Sequence, residues 1–475
     1  MSKVRDDRAA FDALVGGSAR DAFAQGVKSA PPTFGDAQRE LVLWTRAQPV
    51  LDERDVMVHL RVWPDTSAPG ARDAQTIVAM ASADDDYTVR VRVRDLEPGV
   101  KYRYQFERID GKVSEIGTAH TVDPNAREFA IGFSSCQVRA GGHWSAYREI
   151  ADDDLDLFLH LGDYIYAESA DLFPRARRDW HPDPTPHAHD ITTYREKWNG
   201  YNRDPFLKRA HATVPFVYTW DDHEFENNWN GQAIPPAKIP QFEAAQQAMF
   251  EHMPLQRRPD DPNRTYHSLK VGDLVEIFVT DGRLYREPGR TMLGDEQAQW
   301  LRDGLRSSNA QWKLVASSTA FTRLDKDHDD SWTGFEPERA SLLRFIAEHD
   351  IANVIIASGD SHVAYATELD LGTELGADVP SRVVGVEIGG GAISSPASPH
   401  SLARAHLAYI NETDNGWVAL RFTPAELAVD FNYVEVDQPD GRRLPGRRFT
   451  VAANDTILRD AGVVNPKQPA LELTR

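Results

Sequence analysis

Between Glu128 and Asp360 short apolar runs recur, and each stops abruptly at a polar cluster. The runs are EFAIGFSS, LDLFLHLGD, FVYTWDD, LVEIFVTDG, KLVASST and NVIIASGD, with amphipathic stretches such as GDEQAQWLRDGLRSS and EPERASLLRFIAEHD between them. Continuous apolar runs bounded by turn signals read as strands buried on both faces, and the stretches between them repeat at helical spacing. The grammar is α/β. Ligands in open α/β sheets bind beyond the carboxyl ends of strands, so the polar residues that follow these runs are the candidates for chemistry.

Residues 40–122 read differently. VMVHLRVWP, TIVAMAS and YTVRVRV alternate apolar and polar residues, and DLEPGVKYRYQFERIDGKV reads as strand, turn and strand. This predicts a small antiparallel sandwich of immunoglobulin or fibronectin type. A chain of 475 residues is long for one domain. The expected division is an N-terminal segment and β domain over 1–124, then a catalytic domain over 125–475. Residues 169–193 are rich in Pro, His, Asp and Arg and read as a long surface insertion.

Composition narrows the function. The formal net charge of −20 argues against a stable nucleic-acid complex or binding to an acidic membrane, because phosphate backbones attract basic surfaces. No apolar run approaches the roughly 18 residues of a membrane span. The first thirty residues lack the apolar centre of a signal peptide. The expectation is a cytoplasmic protein as the sequence stands, or an exported one whose signal has been removed. Cys136 is the sole cysteine, so no internal disulfide can form.

Five polar clusters follow apolar runs directly: Ser134-Ser135-Cys136-Gln137, Gly162-Asp163-Tyr164-Ile165-Tyr166, Trp220-Asp221-Asp222-His223-Glu224, Asp281-Gly282-Arg283 and Gly359-Asp360-Ser361-His362. One Asp or His after a strand is ordinarily a cap or turn residue. Several carboxylates gathered at one sheet edge repel each other, and a bound cation resolves the repulsion.

The motifs FSSCQ, GDYIY, WDDHE and SGDSH, in this order, resemble alkaline phosphatase D, a branch of the calcineurin-like metallophosphoesterases related in site chemistry to the purple acid phosphatases. LVLWTR and DLEPGVKYRYQFE resemble that family's N-terminal domain, so the resemblance runs from Phe23 to Val436. The family's GVASGDP opening stands here as Gly26-Val27-Lys28-Ser29-Ala30-Pro31, a departure outside the site. The implied fold is a metallophosphoesterase β-sandwich flanked by helices, behind the small all-β domain.

By the same resemblance Asp163 bridges two metals. Tyr166 matches the tyrosine that holds ferric iron in purple acid phosphatases, and Cys136 stands where the superfamily has an Asp. Asp222-His223-Glu224 matches the superfamily's Asn-His-Glu: Asp222 ligates the second metal and His223 faces the substrate. Gly359-Asp360-Ser361-His362 matches Gly-His-x-His, with His362 on iron and Asp360 on the second metal. Ser317 and Ser318 stand where the superfamily has another histidine.

Thiolate and phenolate suit Fe3+, whereas an oxygen-rich second site suits Ca2+, with Mg2+ or another divalent ion as the fallback. A packed thiol for Cys136 and a core aromatic for Tyr166 are the structural alternatives. Glu224, Asn227 and Asn228 fit capping or orientation equally well. Arg283, directly after a strand, is the candidate for gripping phosphate, while Arg139 and Arg286 read as solvated.

The activity implied is hydrolysis of small-molecule phosphate monoesters and diesters by a metal-bound hydroxide. The alternatives are a phospholipase D-like phosphodiesterase and a non-hydrolytic iron protein.

Overall fold

The computed structural model describes residues 22–465 apart from 51–52, 68–73, 170–185, 325–329, 377, 398–405 and 439. The N-terminal strands are β1 (Val27–Ala30), β2 (Leu41–Arg46), β3 (Asp55–Pro64), β4 (Gln75–Ser82), β5 (Thr88–Val93), β6 (Lys101–Arg108) and β7 (Gly117–His120). They form two antiparallel sheets, β1-β2-β5 and β4-β3-β6-β7. In β3 and β6 alternate residues are buried, and Val58, Leu60, Val62, Tyr104 and Phe106 meet Leu43, Val89 and Val91 between the sheets. That alternation is what a sandwich with one wet face requires.

The catalytic domain is a sandwich of two mixed sheets. The first joins β8 (Phe129–Ser134), β9 (Leu157–Leu161) and β10 (Phe216–Thr219), all parallel, to an antiparallel run of β18 (Asn415–Phe422), β19 (Glu426–Val434), β20 (Arg443–Ala452) and β21 (Arg459–Val464). The second contains β11 (His267–Val271), β12 (Val275–Val279), β13 (Trp312–Ser317), β14 (Val354–Ser358), β15 (Ala364–Asp370), β16 (Val383–Gly389) and β17 (Leu407–Asn411), in the order β11-β12-β13-β14-β16-β15-β17. Phe133, Leu159, Leu420 and Val429 of the first sheet pack against Ile277, Leu314, Ile355 and Ile388 of the second.

Helices cover both outer faces. On one side lie α1 (Ser145–Asp152), α2 (Ile191–Tyr201), α3 (Pro205–Thr213) and α4 (Ile239–His252), with Tyr194, Trp198, Leu207 and Met249 in the same core as Phe158 and Phe216. On the other lie α5 (Gly294–Ser307) and α6 (Glu336–Glu348), with Leu301, Leu305, Leu343 and Ile346 against Phe278, Val315 and Ile356. Both had been legible as amphipathic stretches. The expected layers, a helix-flanked sandwich behind a small all-β domain, are the observed ones.

The stretch read as one insertion divides. Asp190 caps α2, its side chain accepting from Thr193 N while the Thr193 hydroxyl turns back to Asp190, so residues 191–193 belong to a helix. Residues 170–185 lie outside the described ones. No described helix is long and apolar enough to cross a membrane.

Register sets the site. Ser134, His160 and Tyr218 stand side by side on β8, β9 and β10, and Ser317 and Ser358 pair on β13 and β14. The strands therefore end together, and the polar clusters behind them emerge at one edge. The N-terminal domain is fastened nearby: Trp44 Nε1 donates to Glu251 O at 2.7 Å, and Lys28 Nζ donates to His252 O and Asn202 Oδ1, each at 2.9 Å.

Candidate metal centre

Each strand end turns sharply to present its side chain. Cys136, Asp163, Asp360 and His362 have φ of 55°, 55°, 64° and 56°. Non-glycine residues rarely adopt left-handed backbone, and it persists where surrounding structure over-determines it. The Glu224 carboxylate does much of the determining. It accepts from Asp163 N (3.2 Å), Tyr164 N (2.7 Å) and Asp221 N (2.9 Å), tying the loops after β9 and β10 together. Burial pushes its pKa up to about 7. Gly162 has φ of 101°, and a Cβ there would lie 2.4 Å from that of Asp221, so the close approach of the two loops requires glycine.

Three donor groups share Asp163: one with Cys136 and His362, one with Asp221, Asp222 and Asp360, and one with Asp222 and His223. In the first, ligand atoms of Cys136, Asp163 and His362 lie within 4.8 Å of one another. The Tyr166 hydroxyl joins them, donating to Asp163 Oδ2 at 3.0 Å and lying 2.9 Å from Ser395 Oγ. His362 Nδ1 lies 3.0 Å from Pro396 O. A proton on Nδ1, assigned from that contact, leaves Nε2 as the ligand atom, the usual arrangement for a metal-binding histidine. Burial, then the Asp163 carboxylate, pushes the Cys136 thiol well up, and the same two causes raise the Tyr166 phenol. Only a cation would draw anionic donors from such a place.

In the second group, oxygens of Asp163, Asp221, Asp222 and Asp360 lie within 4.8 Å. Burial and neighbouring carboxylates raise Asp163 and Asp360 well above the usual carboxylate range. Burial would raise Asp222 as well, but the charges of His223 and Arg283 and the Asn228 N–H outweigh it and bring it below that range. Asp221 Oδ2 and Asp222 Oδ1 are buried and accept no hydrogen bond. Buried acceptors are normally satisfied, so orphaned oxygens converging with two further carboxylates fit a bound cation. The residues present therefore suit a centre of two metals.

All six residues expected as ligands are thus gathered at one edge, and Asp221 joins them. The serines in the histidine position do not extend the set: Ser317 Oγ donates to Thr319 O, and Ser318 Oγ has no hydrogen-bond partner.

His223 lies beside the centre, its backbone N–H donating to Asp163 Oδ1 at 3.2 Å. Its Nδ1 is 3.0 Å from Glu168 Oε2, and its ring stacks on Tyr166. Arg283 departs from its expected role. It is fully buried, with Nε on Asp221 Oδ1 (2.7 Å) and Nη1 and Nη2 on Asp330 (2.8 and 2.6 Å). A guanidinium spent on two carboxylates is not turned toward substrate; it holds Asp221 in place. Arg286, expected in solvent, is also fully buried and binds Asp330 at 2.7 Å. Arg139 is half-buried beside Tyr201.

Glu168, Asp330 and the Ser395-Pro396 pair had not been singled out from the sequence. A signal for the last existed, since VVGVEIGGGAISSP is another apolar run ended by polar residues.

Comparison with known proteins decides the family. Residues 129–437 match the model of the PhoD-like phosphatases, and residues 10–123 match that family's N-terminal domain. The chain belongs to the PhoD-like phosphatases. As a PhoD-like phosphatase it is a phosphoric ester hydrolase acting on small-molecule phosphate esters, with metal cofactors of metallophosphoesterase type. It is 29% identical to alkaline phosphatase D of Bacillus subtilis (strain 168) over 484 residues, covering 91% of this chain and 81% of that protein. The solved structure of PhoD superposes with a TM-score of 0.85 at 27% identity over 94% of both chains. The purple acid phosphatase PPD1 of yellow lupin (Lupinus luteus) seeds shares the fold, with a TM-score of 0.60 at 12% identity over 90% of this chain and 74% of that one.

Proposed function

We propose that this PhoD-like phosphatase cleaves phosphate monoesters and diesters at an Fe3+/Ca2+ centre. Cys136, Asp163, Tyr166 and His362 hold the ferric ion, and Asp163, Asp222 and Asp360 hold the calcium, with Asp221 beside them. The observation that carries this reading is the inequality of the donors meeting at Asp163: sulfur and nitrogen from Cys136 and His362 on one side, and three further carboxylates with the His223 ring beside them on the other. Thiolate and phenolate favour a trivalent ion; four carboxylates favour calcium, or failing that magnesium. When bound, such cations neutralise phosphoryl charge and make a water acidic enough to act as nucleophile.

The chain's own groups do the rest. Glu224 holds the loops that carry Asp163 and Asp221, and Arg283 fixes Asp221 against Asp330. His223, beside Asp163, gives a proton to the departing alcohol. Arg175, Arg177 and Arg178 of the insertion, expected to draw anions toward the site, lie outside the described residues.

The test compares turnover of mono- and bis-(4-nitrophenyl) phosphate, with and without a calcium-selective chelator. Hydrolysis of both, silenced by the chelator and restored by calcium, is the expected result. A chelator-resistant activity, or a strict preference for one ester class, contradicts the reading.

A further inference from the structure

We infer that Glu168 is the positioning residue of His223, fixing which edge of the imidazole turns to the substrate; the inference rests on the phosphoesterase reading above. Glu168 is almost fully buried and lies five residues beyond Asp163, behind no apolar run, so nothing in the sequence marks it. Both of its oxygens are engaged. Oε2 meets His223 Nδ1 at 3.0 Å, and Oε1 accepts from Asn227 N at 2.9 Å. Its backbone carbonyl accepts from the buried Lys197 Nζ at 2.9 Å, which ties this point of the loop to α2. A carboxylate held at both oxygens, on a backbone that is itself tied down, is fixed in orientation.

The consequence for His223 is geometric. The carboxylate takes the proton of Nδ1, so Nε2 is on the opposite edge of the ring. Tyr166 lies against one face of that ring, with centroids 4.2 Å apart and planes 25° from parallel. Turning the ring over would break the Glu168 contact and set Nδ1 where Nε2 had been. One carboxylate thus selects both tautomer and orientation. Asn227, in the segment that follows β10, ties the same carboxylate to the stretch carrying Asp222.

A purely structural ion pair and a positioning pair differ in their dependence on the leaving group. A proton donor matters most for a poorly leaving alkoxide and least for nitrophenolate, which departs without a proton. The experiment is a double-mutant cycle of Glu168→Gln and His223→Ala on an alkyl phosphate and on 4-nitrophenyl phosphate. Metal content is measured in each variant by elemental analysis.

Glu168→Gln is expected to lower kcat on the alkyl ester about 10- to 100-fold, the scale for residues that orient a functional imidazole, with KM little changed. The loss should be at least several-fold smaller on the nitrophenyl ester, and metal content should equal that of the unaltered protein. The double variant should be no slower than His223→Ala alone, because Glu168 acts only through that ring. Equal losses on both esters, loss of metal, or additive losses in the double variant overturn the inference. Should the glutamine variant not fold, Glu168→Asp tests the same cycle. An unaltered protein that hydrolyses neither ester defeats the phosphoesterase reading instead, so the two failures are separable.

Discussion

The Tyr166 phenol hydroxyl donates to Asp163 Oδ2 at 3.0 Å while its ring lies flat against His223, so one side chain touches both the shared carboxylate and the proposed proton donor. Removing the hydroxyl separates these contacts. Tyr166→Phe keeps the stack and loses the oxygen. If Tyr166 is a ferric ligand, phenolate bound to iron tints the protein, and this substitution abolishes the visible band. A colourless, iron-free and fully active protein contradicts the assignment.

His223 should matter to turnover without holding metal. Replacing it by Ala is expected to cost about a hundred- to ten-thousand-fold in kcat, the scale of general acid catalysis, and to leave metal content intact. The geometry makes this a sharp question, because a ring nitrogen of His223 lies within 4.8 Å of oxygens from Asp163 and Asp222. Metal lost along with the imidazole would make it a ligand instead.

Arg283 separates a structural clamp from a substrate grip. Arg283→Met leaves the buried Asp221 without its cation, while Asp330 keeps Arg286; the loss is expected to cost about 3–5 kcal/mol of stability. Chemical denaturation measures it. A variant of unchanged stability whose only defect is a raised KM would return Arg283 to the phosphate-binding role first read from the sequence.

Asp204 gives a pH dependence away from the centre. It caps α3, one carboxylate oxygen accepting from Phe206 N and Leu207 N at 2.9 Å each, and burial pushes its pKa up to about 6. A carboxyl whose pKa rises on folding favours the folded state below its unfolded pKa, and that advantage fades as pH rises through about 6. Asn caps as well as Asp and carries no charge. Asp204→Asn should therefore be the more stable protein at pH 7.5, by up to about 3 kcal/mol, and nearly equal at pH 4. A variant destabilised at pH 7.5 but not at pH 4 would show that the charge itself is needed.

The sequence disclosed the centre better than its supports, for a physical reason. Asp163, Asp222 and Asp360 each follow an apolar run, which marks them as residues at carboxyl ends of strands where ligands bind; Asp163 and Asp222 follow paired parallel strands, and Asp360 comes from the other sheet. Glu168, Asp330 and Ser395 act by tertiary approach. Asp330 sits in the polar stretch DKDHDD, and its contact with Arg283 is between residues far apart in sequence. Arg283 illustrates the converse. An arginine after a strand has the same signature whether it faces phosphate or two carboxylates, and only its burial separates the two. The alternation of β3 and β6 was legible because one face of their sheet stays wet, although β2 is buried along its whole length, whereas the start of α2 was hidden by the polar composition of the insertion before it.

The central claim is that phosphate esters are cleaved where unequal donor groups meet at Asp163. The most direct measurement is elemental analysis of protein purified without added metal, run beside its turnover of 4-nitrophenyl phosphate and repeated on Asp163→Asn. Iron together with calcium is expected in the active protein, with both metals and activity lost in the variant. Full activity in protein that holds neither iron nor any divalent metal would contradict the account.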